Sequence, residues 1–315
     1  MIKNNTEVNL KELNETKSIE ITTNIGCKNL CSYCPQSVIV NAYTRRSNLL
    51  QMSYEIFQKC LDSIPTDTIL IFSGMSEPWL NPNIKEMLLY SLQKGYKIFL
   101  STTLIGMNPE DVSFLKSLKS LQQIHIHLPS ANGKERIEVD NNYLQILDEL
   151  SKSNIKIVYR THDTVHPALK TLSIKDYGYC EVTTRAGNIK SNLAPKIKRG
   201  EIKCERNLNH HVLLPNGDVI LCCMDFGMKH FLGNLLSCDY ESLFNSKEFL
   251  KVKAGMRGAR EDILCRNCEY AYNLNPFVRF CNSVMYCLYH EGMFTFFKRG
   301  ILKLIRGTRR LRVRL

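Results

Sequence analysis

No run of about 18 apolar residues occurs anywhere in the sequence, so it holds no segment able to cross a bilayer as a helix. The opening stretch, Met1 to Glu7, lacks the apolar core of a secretory leader, which predicts a cytoplasmic, reducing setting. Internal repeats and long low-complexity stretches are missing too, which excludes a solenoid and a largely disordered chain. Acidic residues are the scarce charge: 30 Asp and Glu against 42 Lys and Arg leave +12 over 315 residues. Such a balance points to nucleic acid, a membrane surface or an anionic substrate only where the charges cluster. They cluster at one end. Met293 to Leu315 carries eight basic residues and no acid, so the rest holds only +4, which removes the general case for a nucleic-acid partner. In that tail Phe294, Phe297, Ile301, Leu304 and Ile305 recur at helical spacing opposite Lys298, Lys303 and Arg306. The pattern suits peripheral contact with the anionic inner face of a membrane, or packing on the body of the protein.

What the chain has in quantity is cysteine, 13 in all, which in a reducing setting reads as thiols and metal ligands rather than disulfides. From residue 18 to 185 strand-like and helix-like segments alternate. Apolar runs at Ser18 to Thr23, Thr68 to Phe72, Tyr96 to Leu100, Gln123 to Leu128 and Ile155 to Tyr159 predict five strands, and Cys180 to Thr184 a sixth. Between them Phe57, Cys60 and Leu61 (behind a Ser53 cap), Ile84, Met87 and Leu88, Val112 and Leu115, and Tyr143, Ile146 and Leu147 mark helices. Repeated βα units imply a parallel sheet covered by helices, either a barrel or an open doubly wound sheet. After Asn188 the pattern changes to a basic linker up to Gly200 and a hairpin turning at Asn216-Gly217. A helix near Tyr240 to Lys253 and a cysteine-rich stretch follow. Two structural units are expected, spanning residues 15–190 and 200–292, with the tail at 293–315.

Cys27, Cys31 and Cys34 form C-x3-C-x2-C directly after the first strand. Three thiolates on a short loop can each hold one corner of a cubane and leave the fourth iron open. This sequence resembles the radical S-adenosylmethionine (radical SAM) enzymes. Tyr33 matches the aromatic that lies beside the adenine in that family. Ser73-Gly74-Met75-Ser76-Glu77-Pro78 is similar to its Gly-x-Gly-Glu-Pro element for the methionine amino group, with Ser76 in place of a glycine. Thr103 and Ser130 stand where the family has polar contacts to SAM. The resemblance implies a partial, six-stranded, TIM-like (β/α)6 barrel with a [4Fe-4S] cluster. The cluster would chelate SAM and, with one electron from a flavodoxin- or ferredoxin-type donor, generate a 5'-deoxyadenosyl radical that takes hydrogen from the substrate.

Cys204, Cys222, Cys265 and Cys268 form a second set, in which the Asn-Gly hairpin folds Cys222 back toward Cys204 and C-x2-C adds two ligands. Spacing alone suits zinc or an iron-sulfur cluster. The order, with Leu232-Gly233-Asn234 after the hairpin, is similar to the auxiliary-cluster extension of radical SAM enzymes called SPASM. Leu274 stands where a full SPASM continues with cysteine, so its half-length form, twitch, with one auxiliary [4Fe-4S] cluster is implied. Cys223 is expected to point away from Cys222 by strand alternation, and Cys60 to be core. Cys180 is read as strand core, Cys238 has no partner pattern, and Cys281 and Cys287 either complete an irregular second cluster or pack.

Arg160 and Arg185 end the fifth and sixth strands, where either arginine can pair with the SAM carboxylate or an anionic substrate. His125 and His127 share one strand face, and His210 and His211 are read as structural. The resulting expectation is a radical SAM oxidoreductase acting on a sugar- or cyclitol-like small molecule. A peptide-modifying maturase is the second reading, and a zinc-bearing nucleic-acid-binding protein the third.

Overall fold

The computed structural model describes residues 16–172, 174, 176–189 and 197–274. Cys281, Cys287 and the basic tail therefore lie outside the described residues. Strands β1 (Ser18–Ile21), β2 (Ile69–Phe72), β3 (Ile98–Thr102), β4 (Leu121–His127) and β5 (Ile157–Thr161) are parallel and stand in chain order. A two-residue β6 (Gly178–Tyr179) lies beside β5. The connecting helices are α1 (Gln36–Thr44), α2 (Tyr54–Asp62), α3 (Ile84–Gln93), α4 (Pro109–Ser117) and α5 (Asn141–Ser151). Of the two arrangements that the βα alternation leaves open, this is the partial, TIM-like barrel that the family resemblance implies.

Local chemistry sets the helix ends. The Ser53 hydroxyl accepts from Ile56 N to start α2, Asp140 accepts from Tyr143 N at 2.7 Å to start α5, and Gly95 (φ +88°) ends α3. In-register partners on parallel strands share a face. Ile19, Leu70, Leu100 and Ile124 take the helix-covered face, fully buried against Phe57, Leu61, Met87, Val112 and Leu147. Each such side chain contributes about 1.5–3 kcal/mol. The alternate set faces the lumen, with Ile71, Phe99 and Val158 lower down and Ser101, His127 and Arg160 making it polar toward the C-terminal rim.

Three expectations change. The sixth strand is Gly178–Tyr179 rather than Cys180 to Thr184, because the Thr184 and Ala186 amides bond to the Glu269 carboxylate instead of to a strand. The helix near Tyr240 is broken by Ser246, whose hydroxyl caps α6 (Lys247–Met256) after a 3-10 turn. The C-terminal strands are also less separate than the change of pattern suggests. After β7 (Ile202–Cys204), β8 (His210–Leu213) pairs parallel with β1, and β9 (Asp218–Ile220) and β10 (Phe231–Asn234) continue outward, making one nine-stranded sheet. Without β8, the β1 edge would leave a row of backbone groups unpaired. Helix α1, directly after the third cysteine, has no counterpart in the sequence reading; its β-branched Val38, Ile39 and Val40 hide it.

Candidate active site

The three clustered cysteines sit on the loop leaving β1 at the C-terminal rim of the barrel. Gln36, the first residue of α1, accepts from Cys27 N at 3.2 Å and donates to Cys34 Sγ at 3.4 Å and to Met75 O at 2.6 Å. On the other side the loop following β4 straps it. Lys134 O accepts from Ser32 N at 2.8 Å, Arg136 N donates to Asn29 O at 2.9 Å, and Glu135 accepts from Tyr33 OH at 2.8 Å and from Ser130 N at 2.9 Å. All three thiols are half-buried. Burial pushes each of them up, Cys31 to about 12 with its two neighbouring thiols adding to the rise. Thiolates here need a positive centre, which is what an iron-sulfur cluster provides.

The loop after β2 packs against this one. Gly74 has φ +76°, and a Cβ there would collide with the Thr22 hydroxyl, which accepts from Met75 N at 3.1 Å. Gly74→Ala is therefore expected to destabilise the fold by about 2–3 kcal/mol, read by chemical denaturation, and to weaken SAM binding by equilibrium dialysis. The buried Glu77 carboxylate accepts from Thr102 Oγ1, Thr103 N and Thr103 Oγ1, each at 2.7 Å, and from Trp79 N at 3.3 Å. Burial still holds it above the usual carboxylate range. Glu77 thus orders its own loop, and Thr103 faces Glu77 and Asn29. Among the described residues Ser76 Oγ and Asn29 Oδ1 are buried without a partner on the two facing loops. Orphaned acceptors beside three closely spaced thiols fit a polar ligand such as SAM bound over a cluster.

Further round the rim, the Tyr33 ring contacts His162 at 4.0 Å, tilted by 52°, and His162 stacks on His127 at 5.5 Å. Burial lowers His125 and His127 to about 4 and lowers His162 as well, so these imidazoles are neutral near pH 7. Arg160 lies in the lumen against Gly178, where a Cβ would meet its Nη1 at 3.0 Å. Arg160 and Arg185 both lower the Cys180 thiol, which burial raises.

Cys204, Cys222, Cys265 and Cys268 line one pocket with Arg206 and Tyr270. The antiparallel pairing of β7 with β11 (Ala271–Asn273), Ala271 opposite Cys204, brings Cys204 beside the Cys265/Cys268 turn. Cys223 points the other way and accepts from Arg206 Nη1 at 2.7 Å. Among the described residues no three Cys, His, Asp or Glu converge on one ion-sized point. Below this pocket Glu20 accepts from His210 at 2.9 Å; burial opposes ionisation, but the His210 bond and the Arg206 charge hold the carboxyl down at about 2. His211 is buried on Leu221 O.

Glu20, Gln36, Glu135, Arg206 and Glu269 escape sequence reasoning. Only two carried any signal: Gln36 follows the third cysteine closely and Glu269 directly follows C-x2-C.

Residues 204–269 match SPASM, an iron-sulfur cluster-binding domain. The S-adenosyl-L-methionine-dependent 2-deoxy-scyllo-inosamine dehydrogenase of Niallia circulans is 23% identical over 259 residues, 80% of this chain and 92% of that protein. In fold, the chain is similar to BtrN in complex with AdoMet and 2-DOIA, with TM-score 0.54 and 17% identity over 82% of this chain and 94% of that one. It is also similar to Streptococcus suis SuiB bound to precursor peptide SuiA, with TM-score 0.55 and 12% identity over 82% of this chain and 71% of that one. This chain therefore shares its fold with BtrN and SuiB, a parallel partial barrel joined to a SPASM iron-sulfur cluster-binding domain at 204–269.

Proposed function

We propose that the enzyme oxidises a hydroxyl of a polyhydroxylated, cyclitol-like small molecule. Cys27, Cys31 and Cys34 would hold the SAM-binding cluster, and Cys204, Cys222, Cys265 and Cys268 a single twitch-type auxiliary cluster. Once bound, the first cluster and SAM supply a 5'-deoxyadenosyl radical, given one electron from a flavodoxin- or ferredoxin-type donor. Ser76, Thr103, Ser130 and the Gly74 and Pro78 backbone shape the SAM bed. Tyr33, fixed by Glu135, covers its adenine side and excludes water. A carbinol that has lost one hydrogen atom has one electron and its hydroxyl proton still to lose. The four-cysteine pocket would take the electron and solvent the proton. Arg185 and Arg160 would orient the hydroxyls through their planar forks, while the neutral His127 and His162 accept or donate without adding charge. The division into a core at 15–190 and an auxiliary unit at 200–292, with the tail adding contact to an anionic membrane, belongs to the same reading.

The observation that carries the proposal is a lumen with a polar rim on the sheet whose β1 leads into the three-cysteine loop and whose β9 leads to Cys222 of the second set. Anaerobic reconstitution, then reaction with SAM, dithionite and 2-deoxy-scyllo-inosamine, should give one ketone per 5'-deoxyadenosine, with about eight iron and eight sulfide per chain. Stoichiometric zinc in a colourless protein would sink the iron-sulfur assignment. Cleavage of SAM without ketone from any cyclitol, but with modification of a peptide, would move the reading to a maturase.

A further inference from the structure

Arg185 owes its position to the auxiliary segment. It begins a run of three positive φ angles, Arg185 at 49°, Ala186 at 54° and Gly187 at 87°. Two of these residues are not glycine, and each such conformation costs about 1 kcal/mol or more, so contacts from outside must hold the loop. Glu269 provides them. Its Oε1 accepts from Thr184 N at 2.5 Å and from the Thr184 hydroxyl, and its Oε2 accepts from Ala186 N at 3.2 Å. From the other side, Asn188 Nδ2 donates to Arg185 O at 2.7 Å and to Met224 O at 3.1 Å, and the Phe226 ring lies 6.0 Å from the Arg185 guanidinium. Glu269 directly follows Cys268, and Met224 and Phe226 follow Cys222 within one turn of chain. Every anchor of the loop therefore comes from a segment that carries candidate cluster ligands.

The side chain so held is half-buried, and among the described residues it has neither a carboxylate nor a hydrogen-bond partner. Its charge reaches the Cys34 thiol, His127 and His162. A half-buried guanidinium without a carboxylate partner among the described residues keeps its planar donors available to a ligand beside the neutral imidazoles. Hydroxyl oxygens of a substrate would accept from them.

We infer that Glu269 and Asn188 are positioning residues, through which the auxiliary cysteine site seats Arg185 in the barrel mouth for a polyhydroxylated substrate. The inference rests on Cys204, Cys222, Cys265 and Cys268 being cluster ligands, and its test needs no substrate. Loading the pocket then fixes the Arg185 loop as well as providing a redox centre.

Hydrogen exchange of anaerobically reconstituted full-length enzyme, followed by mass spectrometry, tests it. In Glu269→Ala, peptides spanning 183–189 should exchange at least ~10-fold faster than in the parent, while peptides from β1 to β4 and the iron content stay as in the parent. Glu269→Gln keeps one carboxamide acceptor and should fall between the two. Cys265→Ala should loosen the same peptides as much as Glu269→Ala does. Parent-like exchange at 183–189 in Glu269→Ala, or in a Cys265→Ala protein that has lost half its iron, would overturn the inference. Should Cys265→Ala also loosen β1 to β4, the fully iron-loaded Glu269→Ala decides alone. Failure of every cyclitol to turn over would remove the proposed substrate class and leave the exchange result standing.

Discussion

Alanine at any one of Cys27, Cys31 or Cys34 is expected to reduce SAM cleavage to the rate without enzyme. A three-thiolate site has no spare ligand: two thiolates cannot hold a cubane whose fourth iron must stay open for SAM. The loop geometry gives each cysteine its own supports. Cys27 N and Cys34 Sγ both bond Gln36, Cys34 N donates to Cys31 O at 3.0 Å, and Ser32 is tied to the strap after β4. Burial raises all three thiols, so a substituted site lacks the positive centre that keeps its remaining cysteines deprotonated. The measurement is 5'-deoxyadenosine formed in dithionite-reduced, reconstituted protein. Cys60→Ala is the control, since that thiol is buried on the helix-facing side of the core with Phe57 and Leu61 and should leave the rate unchanged. Cleavage retained in any of the three loop variants would count decisively against the assignment.

The second large effect is expected at the other site. Cys268→Ala should retain a fraction of SAM cleavage yet form no oxidised product, and iron should fall from about eight to about four per chain. The reason is separation along the chain and in chemistry. The hydrogen bonds that fix the cysteine loop come from Gln36, the loop after β2 and the strap at 134–136, while Val212, Leu214 and Phe226 only pack against Ile25, Cys34 and Met75. The pocket of Cys204, Cys222, Cys265 and Cys268 is held instead by β7, β11 and the hairpin. A substrate that has lost a hydrogen atom without an electron acceptor must take it back or be quenched, so cleavage and product uncouple. Product at the parental ratio to 5'-deoxyadenosine in Cys268→Ala would show that the second site plays no part in the oxidation.

The physical character of each determinant decides where it could be read. Strands β1 to β5 are short apolar runs, and helices α2, α3 and α5 carry their own caps and apolar faces, so local pattern announces them. The cysteine motifs are equally local, because one loop or one turn brings their ligands together. Alternation along a strand also predicts that Cys222 and Cys223 diverge; the two lie on the turn after β9, where Cys222 lines the pocket and Cys223 bonds Arg206 from outside the lining. By contrast the Tyr33 to Glu135 bond joins residues 102 apart, and the β1 to β8 pairing brings Ser18 to His210, 192 apart. No spacing rule reaches across such distances. The sixth strand illustrates the competition: Cys180 to Thr184 has strand composition, but Cys180 N takes the last ladder bond, to Thr161 O at 2.8 Å, and Glu269 takes the amides that follow.

The sequence by itself determined the βα order, the two cysteine sets and the neutral body with a basic end, because these depend on composition, periodicity and spacing within a few tens of residues. Only the tertiary structure decided that the auxiliary hairpin extends the barrel sheet, that the lumen is polar toward its rim, and that Arg185 is held from the segments bearing Cys222 and Cys268. Those features exist only once chain closure has aligned strand edges, and a carboxylate bonds to whichever amides the fold leaves unpaired beside it.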